Sequence, residues 1–201
     1  MSTAFQPRLV MITGATGGFG RALSQRFAAA GCALIITGRQ QSALQELAQV
    51  LAVPTHMMAL DIKDRAALTA ALTALPPAFQ AIDVLINNAG GAHGLDPIQT
   101  GNVDDWDTMI DSNVKGLLYV SHEVVPHMVE RKKGHIINIG SIAGKEVYPN
   151  GNVYCAAKFA VDALTRGMRL DLNAAGIKVT SINPGLVETE FSKVRFKGDE
   201  T

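Results

Sequence analysis

The chain has 201 residues, enough for one α/β domain, and no Pro-, Gly- or Ser-rich stretch divides it, so we expect a single domain over residues 1–201. Eighteen basic residues balance eighteen acidic ones, which gives no reason to expect nucleic acid or an anionic membrane as partner and favours a small molecule. No run approaches the roughly 18 apolar residues of a membrane span, the N-terminus lacks a secretion-signal pattern, and two cysteines fit a reduced, cytoplasmic protein.

Short apolar runs alternate with longer segments of helical period, which indicates repeated βα units and a parallel sheet buried on both faces. The predicted strands are Arg8–Thr13, Ala33–Thr37, His56–Asp61, Ile82–Asn87, His135–Gly140 and Lys178–Asn183. The predicted helices are Gly18–Ala30, Gln41–Leu51, Asp64–Leu75, Val103 to about Lys133, and Asn152–Ala175. Pro126, deep inside the fourth helix, predicts a kink or break there.

Right-handed crossovers between such units predict an α/β fold, with a Rossmann-like doubly wound parallel sheet and helices on both faces. The strand order expected for this arrangement is 3-2-1-4-5-6. Ligands of such sheets bind in a crevice at the carboxyl ends of the strands, so the residues at those ends are the candidates for function.

A glycine-rich turn, residues 13–20 (TGATGGFG), follows the first predicted strand and opens the first predicted helix. Glycine tolerates positive φ and lets the backbone approach an anion, while the N–H groups and dipole of a helix N-terminus stabilise a phosphate. Gly14, Gly18 and Gly20 follow the spacing G-x-x-x-G-x-G and not the commoner G-x-G-x-x-G. The turn predicts a pyrophosphate site, and a tight strand-to-helix turn without a ligand is the alternative.

Tyr154 and Lys158 are four residues apart on the last predicted helix, so their side chains share one face. Tyrosine ionises at about pH 10 in water, and its use as a base at neutral pH needs a nearby positive charge, which Lys158 supplies. Ser141, after the fifth strand, can hold the reacting oxygen against the tyrosine hydroxyl. It does not fit as a nucleophile, because Ile139 stands where a G-x-S-x-G elbow needs glycine. Alone, the Tyr-x-x-x-Lys pair also fits an ordinary amphipathic helix.

Over residues 8–191 the chain resembles the short-chain dehydrogenase/reductase family. The resemblance rests on the glycine turn, on Ser141 with Tyr154 and Lys158, on residues 87–90 (NNAG) and on residues 184–185 (PG). It implies reversible hydride transfer between C4 of a nicotinamide and the carbinol carbon of a substrate, with Tyr154 exchanging the proton. It adds Asn113 as the fourth catalytic residue, positioning a water that leads to Lys158. The cofactor-binding set that it implies is Gly14, Thr16, Gly18, Phe19, Gly20, Arg39, Asp61, Ile62, Asn87, Ala89, Gly90, Tyr154, Lys158, Pro184, Gly185, Val187 and Thr189.

The end of the second strand indicates which nicotinamide cofactor is preferred. A site specific for NAD usually places a carboxylate there for the ribose hydroxyls, whereas this chain has residues 37–40 (TGRQ) and no acid. Arg39 can pair with a 2′-phosphate through its planar fork of donors. The sequence therefore predicts NADP, and a solvated loop arginine is the alternative interpretation of Arg39.

The histidines offer no metal site. The five of them form no H-x-x-x-H or H-x-H pair, and His122 and His127 are five residues apart, which separates them on a helix. Lys132 and Lys133 are too few to neutralise many phosphates, so nucleic acid remains excluded.

Several segments resemble one subgroup of the family, the NADP-dependent 3-hydroxy acid dehydrogenases, which act on serine, allo-threonine and 3-hydroxypropionate, the last in reverse as malonic semialdehyde reduction. They are residues 109–113 (MIDSN), 134–141 (GHIINIGS), 151–154 (GNVY) and 190–199 (EFSKVRFKGD). Such substrates carry a carboxylate, and we expect Arg195 or a neighbouring lysine to clamp it beside Ser141 and Tyr154. A solvated charge on a surface loop is the alternative for Arg195.

Members of the family usually continue through a further helix and a seventh strand, whereas this chain stops at Thr201, so the expected domain lacks its C-terminal part. The resemblance implies a homotetramer. Two other functions stay open: a broader NADPH-dependent carbonyl or ketone reductase, and a dinucleotide-binding protein without turnover.

Overall fold

The structure of the protein, a computed structural model, describes residues 6–185, 187 and 195. Its centre is a six-stranded parallel sheet in the order β3-β2-β1-β4-β5-β6. The strands are β1 (Leu9–Ile12), β2 (Ala33–Gly38), β3 (Thr55–Ala59), β4 (Val84–Asn87), β5 (His135–Ile139) and β6 (Lys178–Ile182). The predicted fold class and strand order are confirmed.

Within residues 6–185, six α-helices connect or flank the strands: α1 (Gly18–Ala29), α2 (Gln41–Val50), α3 (Arg65–Thr73), α4 (Val103–Ile110), α5 (Gly116–Glu130) and α6 (Asn152–Leu172). Short 3₁₀ segments lie at Pro77–Phe79, Ile142–Gly144 and Asn173–Ala175. The sequence predicts the third helix one residue early, because Asp64 is its N-cap and accepts the N–H of Ala67 at 3.0 Å. No helix among the described residues is long and apolar enough to cross a membrane.

Both faces of the sheet are buried, which explains the continuous apolar strands. Along β1, Met11 packs into one apolar cluster, while Val10 and Ile12 pack into a second cluster on the other face. The first cluster includes residues of α3 and α5, and the second includes residues of α2. Because side chains alternate between the two faces of a strand, β1 to β5 each contribute to both clusters, whereas β6 contributes only Val179, to the first cluster.

The long helix predicted from Val103 differs from the observed one in the position of its irregularity. The prediction of a break at Pro126 is wrong, since α5 continues through Pro126 to Glu130. The irregularity is instead a π-helical turn at Asp111–Lys115, between α4 and α5. Such single turns insert an extra residue into a helix and are frequent at functional sites.

A third, smaller apolar cluster lies between α4, α6 and the segment that follows β5. Its buried members are Ala92, Met109, Ala143, Tyr154 and Cys155, and Trp106, Tyr148 and Val153 pack against it. Tyr154, singled out from the sequence, therefore packs against an apolar cluster beyond the carboxyl end of β5.

Candidate active site

In the glycine turn between β1 and α1, positions 14 and 20 leave no room for a Cβ. Gly14 has φ +61°, and a Cβ built on it would lie 2.8 Å from the Cα of Ala89. A Cβ on Gly20 would overlap the carbonyl oxygen of Gly14. The shape of this turn therefore explains the glycine at position 14, where the backbone is left-handed and close to Ala89, and the glycine at position 20, where a Cβ has no room.

Helix α1 starts at this turn without a capping side chain. Its N-cap, Gly17, makes no side-chain hydrogen bond, and its first turn holds no acidic residue. Gly18 and Phe19 are exposed there. The first N–H groups of a helix have no partner within it and carry the positive end of its dipole, so this end of α1 fits a phosphate group.

Two residues that the sequence analysis did not assign, Thr13 and Asn88, hold the turn in place. The Thr13 hydroxyl oxygen accepts the N–H groups of Asn88 and Ala89, each at 3.0 Å. Asn88 Nδ2 donates to the carbonyl oxygens of Thr13 and Gly14 at 2.8 and 3.0 Å. Thr13 and Asn88 thus join the segment after β4 to the end of β1. The two consecutive asparagines at 87–88 are the feature of the sequence that could have indicated this role.

Arg39 directly follows β2 and is exposed at the carboxyl edge of the sheet. Thr16 of the glycine turn is close to the end of β2, since a Cβ on Gly38 would lie 3.4 Å from its hydroxyl oxygen. The guanidinium and the phosphate-binding turn thus lie at the same edge. That the Arg39 guanidinium pairs with a 2′-phosphate stays a prediction.

The residues after β3 divide between surface and core. Asp61 is half-buried, and its carboxylate accepts the N–H of Lys63 at 3.0 Å and lies 3.7 Å from the ammonium of that residue. The Ile62 side chain is buried in the core, where a Cβ on Gly116 would lie 2.5 Å from its Cδ1. Since the Ile62 side chain is packed inward, a contact with an adenine would use Asp61 or the backbone.

The amide of Asn87 connects the strands and is buried. Its Nδ2 donates to Asn138 Oδ1 of β5 at 2.9 Å and to Ser121 of α5 at 3.1 Å. Asn138 donates in turn to the Thr165 hydroxyl of α6 at 2.9 Å. Asn87 therefore stabilises the edge that forms the site, and its direct contact with a cofactor stays a prediction.

Asn113 lies in the π-helical turn and is also buried. Its Nδ2 donates to the carbonyl oxygens of Gly91 and Met109 at 2.8 and 2.9 Å, which ties the loop after β4 to α4. Gly90 has φ +149°, and a Cβ on it would overlap Asn113 Oδ1, so the glycine allows this contact. Asn113 Oδ1 is buried with no hydrogen-bond partner in the described part of the chain. It can accept a hydrogen bond from water, as the predicted relay requires.

Ser141 and Tyr154 are brought together by the end of β5 and the first turn of α6. Ser141 Oγ accepts the N–H of Ala143 at 3.1 Å, which fixes the oxygen at the start of a 3₁₀ turn. The Ser141 hydroxyl is also hydrogen-bonded to Tyr154. Since one lone pair of Ser141 Oγ is already used, its hydroxyl proton can be donated to an oxygen placed between the two residues.

Tyr154 is only 7% exposed. Burial raises the pKa of its phenol, and the hydrogen bond of Ser141 and the charge of Arg195 only partly offset that rise. The sequence predicts that the charge of Lys158 lowers this pKa, whereas the net effect of the residues around Tyr154 is to raise it. An oxidised nicotinamide beside the phenol would add a positive charge that lowers this pKa.

Lys158 lies one helical turn beyond Tyr154 and is equally buried. Its Nζ donates to the carbonyl oxygen of Ile139 at 3.0 Å and lies 5.8 Å from the centroid of the Tyr154 ring. Burial lowers its pKa to about 8. An ammonium has three donors, and one acceptor is found among the described residues, so the others fit hydroxyl groups such as those of a ribose.

Arg195 lies against Tyr154, although 41 positions separate them in the sequence. Its guanidinium carbon is 5.5 Å from the centroid of the Tyr148 ring and 5.7 Å from that of Tyr154. Arg195 Nε donates to the carbonyl oxygen of Gly94 at 3.0 Å, and Nη1 donates to the Tyr148 hydroxyl at 3.1 Å. The arginine and Tyr154 line one small cavity of about 10 Å³ with Trp106 and Met109. The alternative of a solvated charge does not describe this side chain.

The remaining predicted residues follow β6. The carbonyl oxygen of Pro184 accepts the N–H of Ile142 at 3.0 Å, which joins this segment to the turn after Ser141. Gly185 and Val187 are exposed, and Thr189 lies outside the described residues. Within residues 6–185, 187 and 195 there is no cluster of three or more potential metal ligands.

The glycine turn, the Asn-Asn-Ala-Gly segment and the group of Ser141, Tyr154 and Lys158 lie at one edge of a doubly wound sheet. The chain belongs to the short-chain dehydrogenase family, whose sequence model matches residues 8–200. The NADP-dependent 3-hydroxy acid dehydrogenase of Escherichia coli (strain K12) is 49% identical over 193 residues, which cover 96% of this chain and 78% of the relative. Sulfoacetaldehyde reductase 2 of Chromohalobacter salexigens is 46% identical over 195 residues, 96% of this chain and 77% of the relative. A solved serine dehydrogenase, in its closed form with NADP+, superposes with a TM-score of 0.93 at 49% identity, covering 96% of this chain and 78% of that structure.

Proposed function

We propose that the protein is an oxidoreductase that transfers a hydride between NADP(H) and a small 3-hydroxy acid or its carbonyl counterpart. The observation that carries the proposal is the grouping of Ser141, Tyr154 and Arg195. Tyr154 has a hydrogen bond to the serine on one side and the guanidinium over its ring on the other. A proton-exchanging group thus lies next to a group that binds anions.

The substrates that the names of the relatives give share one chemical feature. A 3-hydroxy acid has one carbon between its carboxylate and the carbon that reacts, and sulfoacetaldehyde has one carbon between its sulfonate and its aldehyde. The oxygens of the carboxylate are planar and those of the sulfonate are pyramidal, and a guanidinium can bind either anion through two hydrogen bonds. This spacing supports Arg195 as the residue that distinguishes such substrates from uncharged carbonyl compounds.

Three parts of the described chain would hold the dinucleotide. The N–H groups at the start of α1 would bind its pyrophosphate, Arg39 would bind the 2′-phosphate of NADP, and Lys158 would donate to ribose hydroxyls. Residues 184–185 and 187, and Thr189 outside the described part, are proposed at the nicotinamide end. When bound, the nicotinamide supplies or accepts the hydride.

The residues of the protein handle the oxygen and the proton. Ser141 donates to the reacting oxygen and holds it beside the Tyr154 hydroxyl. In reduction Tyr154 gives its proton to that oxygen, and in oxidation it takes the proton back. The buried ammonium of Lys158 favours the phenolate over the phenol, while Asn113 is proposed to hold the water that resupplies the proton.

The test is a comparison of substrates with both nicotinamides on the purified chain. We expect NADPH oxidation with malonic semialdehyde at a kcat/KM far above that for propanal, and much weaker activity with NADH. Equal rates for the charged and the uncharged aldehyde would favour the broader carbonyl reductase. Binding of NADPH, seen by fluorescence, without oxidation by any carbonyl would favour a binding protein.

We also propose that residues 1–201 form one domain, that the protein is cytoplasmic and that it forms a homotetramer. Free, buried Cys32 and Cys155 support a reducing compartment. Leu118 on α5, with Phe159 and Leu170 on α6, are large apolar side chains exposed on the chain, which supports an interface between subunits. Light scattering of the purified protein gives the mass directly, and a monomer at micromolar concentration would rule out the tetramer.

A further inference from the structure

We propose that Tyr148 is a positioning residue that holds the guanidinium of Arg195 above the ring of Tyr154 and thereby sets the preference of the enzyme for anionic substrates. Tyr148 is outside the Asn-Ser-Tyr-Lys group, and no motif in the sequence singles it out. The inference rests on the proposed function, since it concerns how that site recognises the substrate anion.

The guanidinium is held by two hydrogen bonds and two aromatic rings. Nη1 donates to the Tyr148 hydroxyl at 3.1 Å, and Nε donates to the carbonyl oxygen of Gly94 at 3.0 Å. The rings of Tyr148 and Tyr154 lie 5.5 and 5.7 Å from the guanidinium carbon, within the range of a cation–π contact. The Gly94 N–H also donates to the Arg195 carbonyl oxygen at 3.0 Å, so side chain and backbone are attached to the same residue.

Tyr148 is itself fixed by the segment that leads into α6. A Cβ on Gly151 would overlap Cε2 of the Tyr148 ring and lie 2.5 Å from its Cζ. The ring therefore packs directly on the backbone of Gly151, three residues before Tyr154, and the Gly151 N–H donates to the Tyr148 carbonyl oxygen at 3.1 Å. The same short segment thus sets the positions of Tyr148 and Tyr154 together.

Fixing the arginine in advance has an energetic consequence for binding. A free arginine side chain loses much rotamer freedom when it grips an anion, and this loss weakens binding. A guanidinium already held by Tyr148 and Gly94 has lost most of that freedom before the substrate arrives. Removing the Tyr148 hydroxyl should therefore weaken the binding of an anionic substrate selectively.

The charge of the arginine also acts on the chemistry. Arg195 lowers the pKa of Tyr154, while Tyr148 and burial raise it. An anion bound to the guanidinium would neutralise part of the positive charge over the Tyr154 ring. The site therefore couples the presence of the substrate anion to the proton affinity of the phenol.

Tyr148→Phe is the decisive variant, because it removes the hydroxyl and keeps the ring. We measure kcat and KM with NADPH for malonic semialdehyde and for propanal, which has a methyl group in place of the carboxylate. We expect KM for malonic semialdehyde to rise about tenfold relative to KM for propanal, the size of a lost hydrogen bond to a charged group. Tyr148→Leu, which also removes the ring, should shift that ratio further, whereas the matched control Tyr119→Phe on α5 should leave it unchanged.

The outcomes separate the inference from the proposed function. If the unaltered protein does not distinguish the two aldehydes, the proposed substrate class fails. If it does, and Arg195→Ala abolishes the preference while Tyr148→Phe retains it, the inference is overturned and the proposed function stands. A fall in kcat of equal size for both aldehydes in Tyr148→Phe would also overturn it, because the hydroxyl would then act on the reaction and not on the anion.

Discussion

The glycine turn and the pocket around Tyr154 lie at the same edge of one sheet, and they are built in opposite ways. The turn is made of backbone, where Gly14 and Gly20 leave no room for a Cβ and α1 starts without a capping side chain. The pocket is made of buried side chains, Tyr154 and Lys158, whose pKa values are shifted by their surroundings. Substitutions in the turn should therefore act through shape, and substitutions in the pocket through charge and proton transfer.

The strongest test of the pocket is Tyr154→Phe. This change removes the hydroxyl that is proposed to transfer a proton to and from the reacting oxygen, so kcat should fall by roughly three orders of magnitude, within the range of general acid–base catalysis. NADPH binding and the melting temperature should change little, because the ring remains. Steady-state kinetics and fluorescence titration measure both, and a kcat within tenfold of the unaltered protein would refute the role of Tyr154.

Lys158→Met separates charge from packing. Because burial lowers the pKa of Lys158 to about 8, against about 10.4 in an unfolded chain, the unfolded state holds this proton more tightly between these two pH values. The stability of the unaltered protein should therefore rise with pH through this window relative to Lys158→Met. We expect the difference in the free energy of unfolding between the two proteins to change by about 3 kcal/mol across this window, which is roughly 100-fold in the unfolding equilibrium constant. Urea unfolding at pH 7.5, 9 and 10.5 measures this difference.

A difference between the two proteins that does not vary with pH would mean that Lys158 keeps an ordinary pKa. Activity at pH 7.5 should be lost in Lys158→Met in either case, since the methionine carries no positive charge beside Tyr154.

Gly14→Ala tests the shape of the glycine turn, and Gly31→Ala is its matched control. Both Gly14 and Gly31 have positive φ, but a Cβ on Gly14 meets Ala89 whereas a Cβ on Gly31 meets nothing within 4 Å. Each alanine should cost about 1–2 kcal/mol of stability from backbone strain. We expect NADPH affinity to fall about 10–100-fold in Gly14→Ala alone, and an equal loss in Gly31→Ala would show that the effect is one of general stability.

The smallest effect is expected at Arg39, which acts on one phosphate at the rim of the turn. Arg39→Ala should weaken NADPH binding about tenfold, the size of a hydrogen bond to a charged group, and should leave NADH binding unchanged. Titration with both nucleotides measures the ratio. A parallel loss for both would place the arginine on a part of the nucleotide that NAD and NADP share.

The sheet could be predicted because its signals are local. Each strand is a short apolar run with a polar or glycine end, and right-handed crossovers leave few orders for six such strands. The π-helical turn at Asp111–Lys115 could not be predicted, since its fixed point is a contact of Asn113 with Gly91, 22 positions away. Pro126 does not break the helix, since α5 continues through it to Glu130.

The candidate site divides in the same way. Local spacing identifies four of the candidate residues, because it places them next to each other within a turn or on one face of a helix. They are Gly14, Ser141, Tyr154 and Lys158. The contacts of Arg195 with Gly94 and Tyr148 join positions 101 and 47 apart, and no periodicity in the sequence relates them. The direction of the Tyr154 pKa was also out of reach, since it depends on how deeply the ring is buried.

The π-helical turn between α4 and α5 fixes the rotational phase of two helices at once. One residue more than a regular turn shifts everything beyond Gly116 by about 100° around the axis relative to a continuous α-helix. Deleting one residue from this turn would give a smoother helix, but it would rotate α5 off the sheet or carry Asn113 away from the loop after β4. The local irregularity is thus the means by which a single helical rod serves a packed core at one end and a reactive crevice at the other.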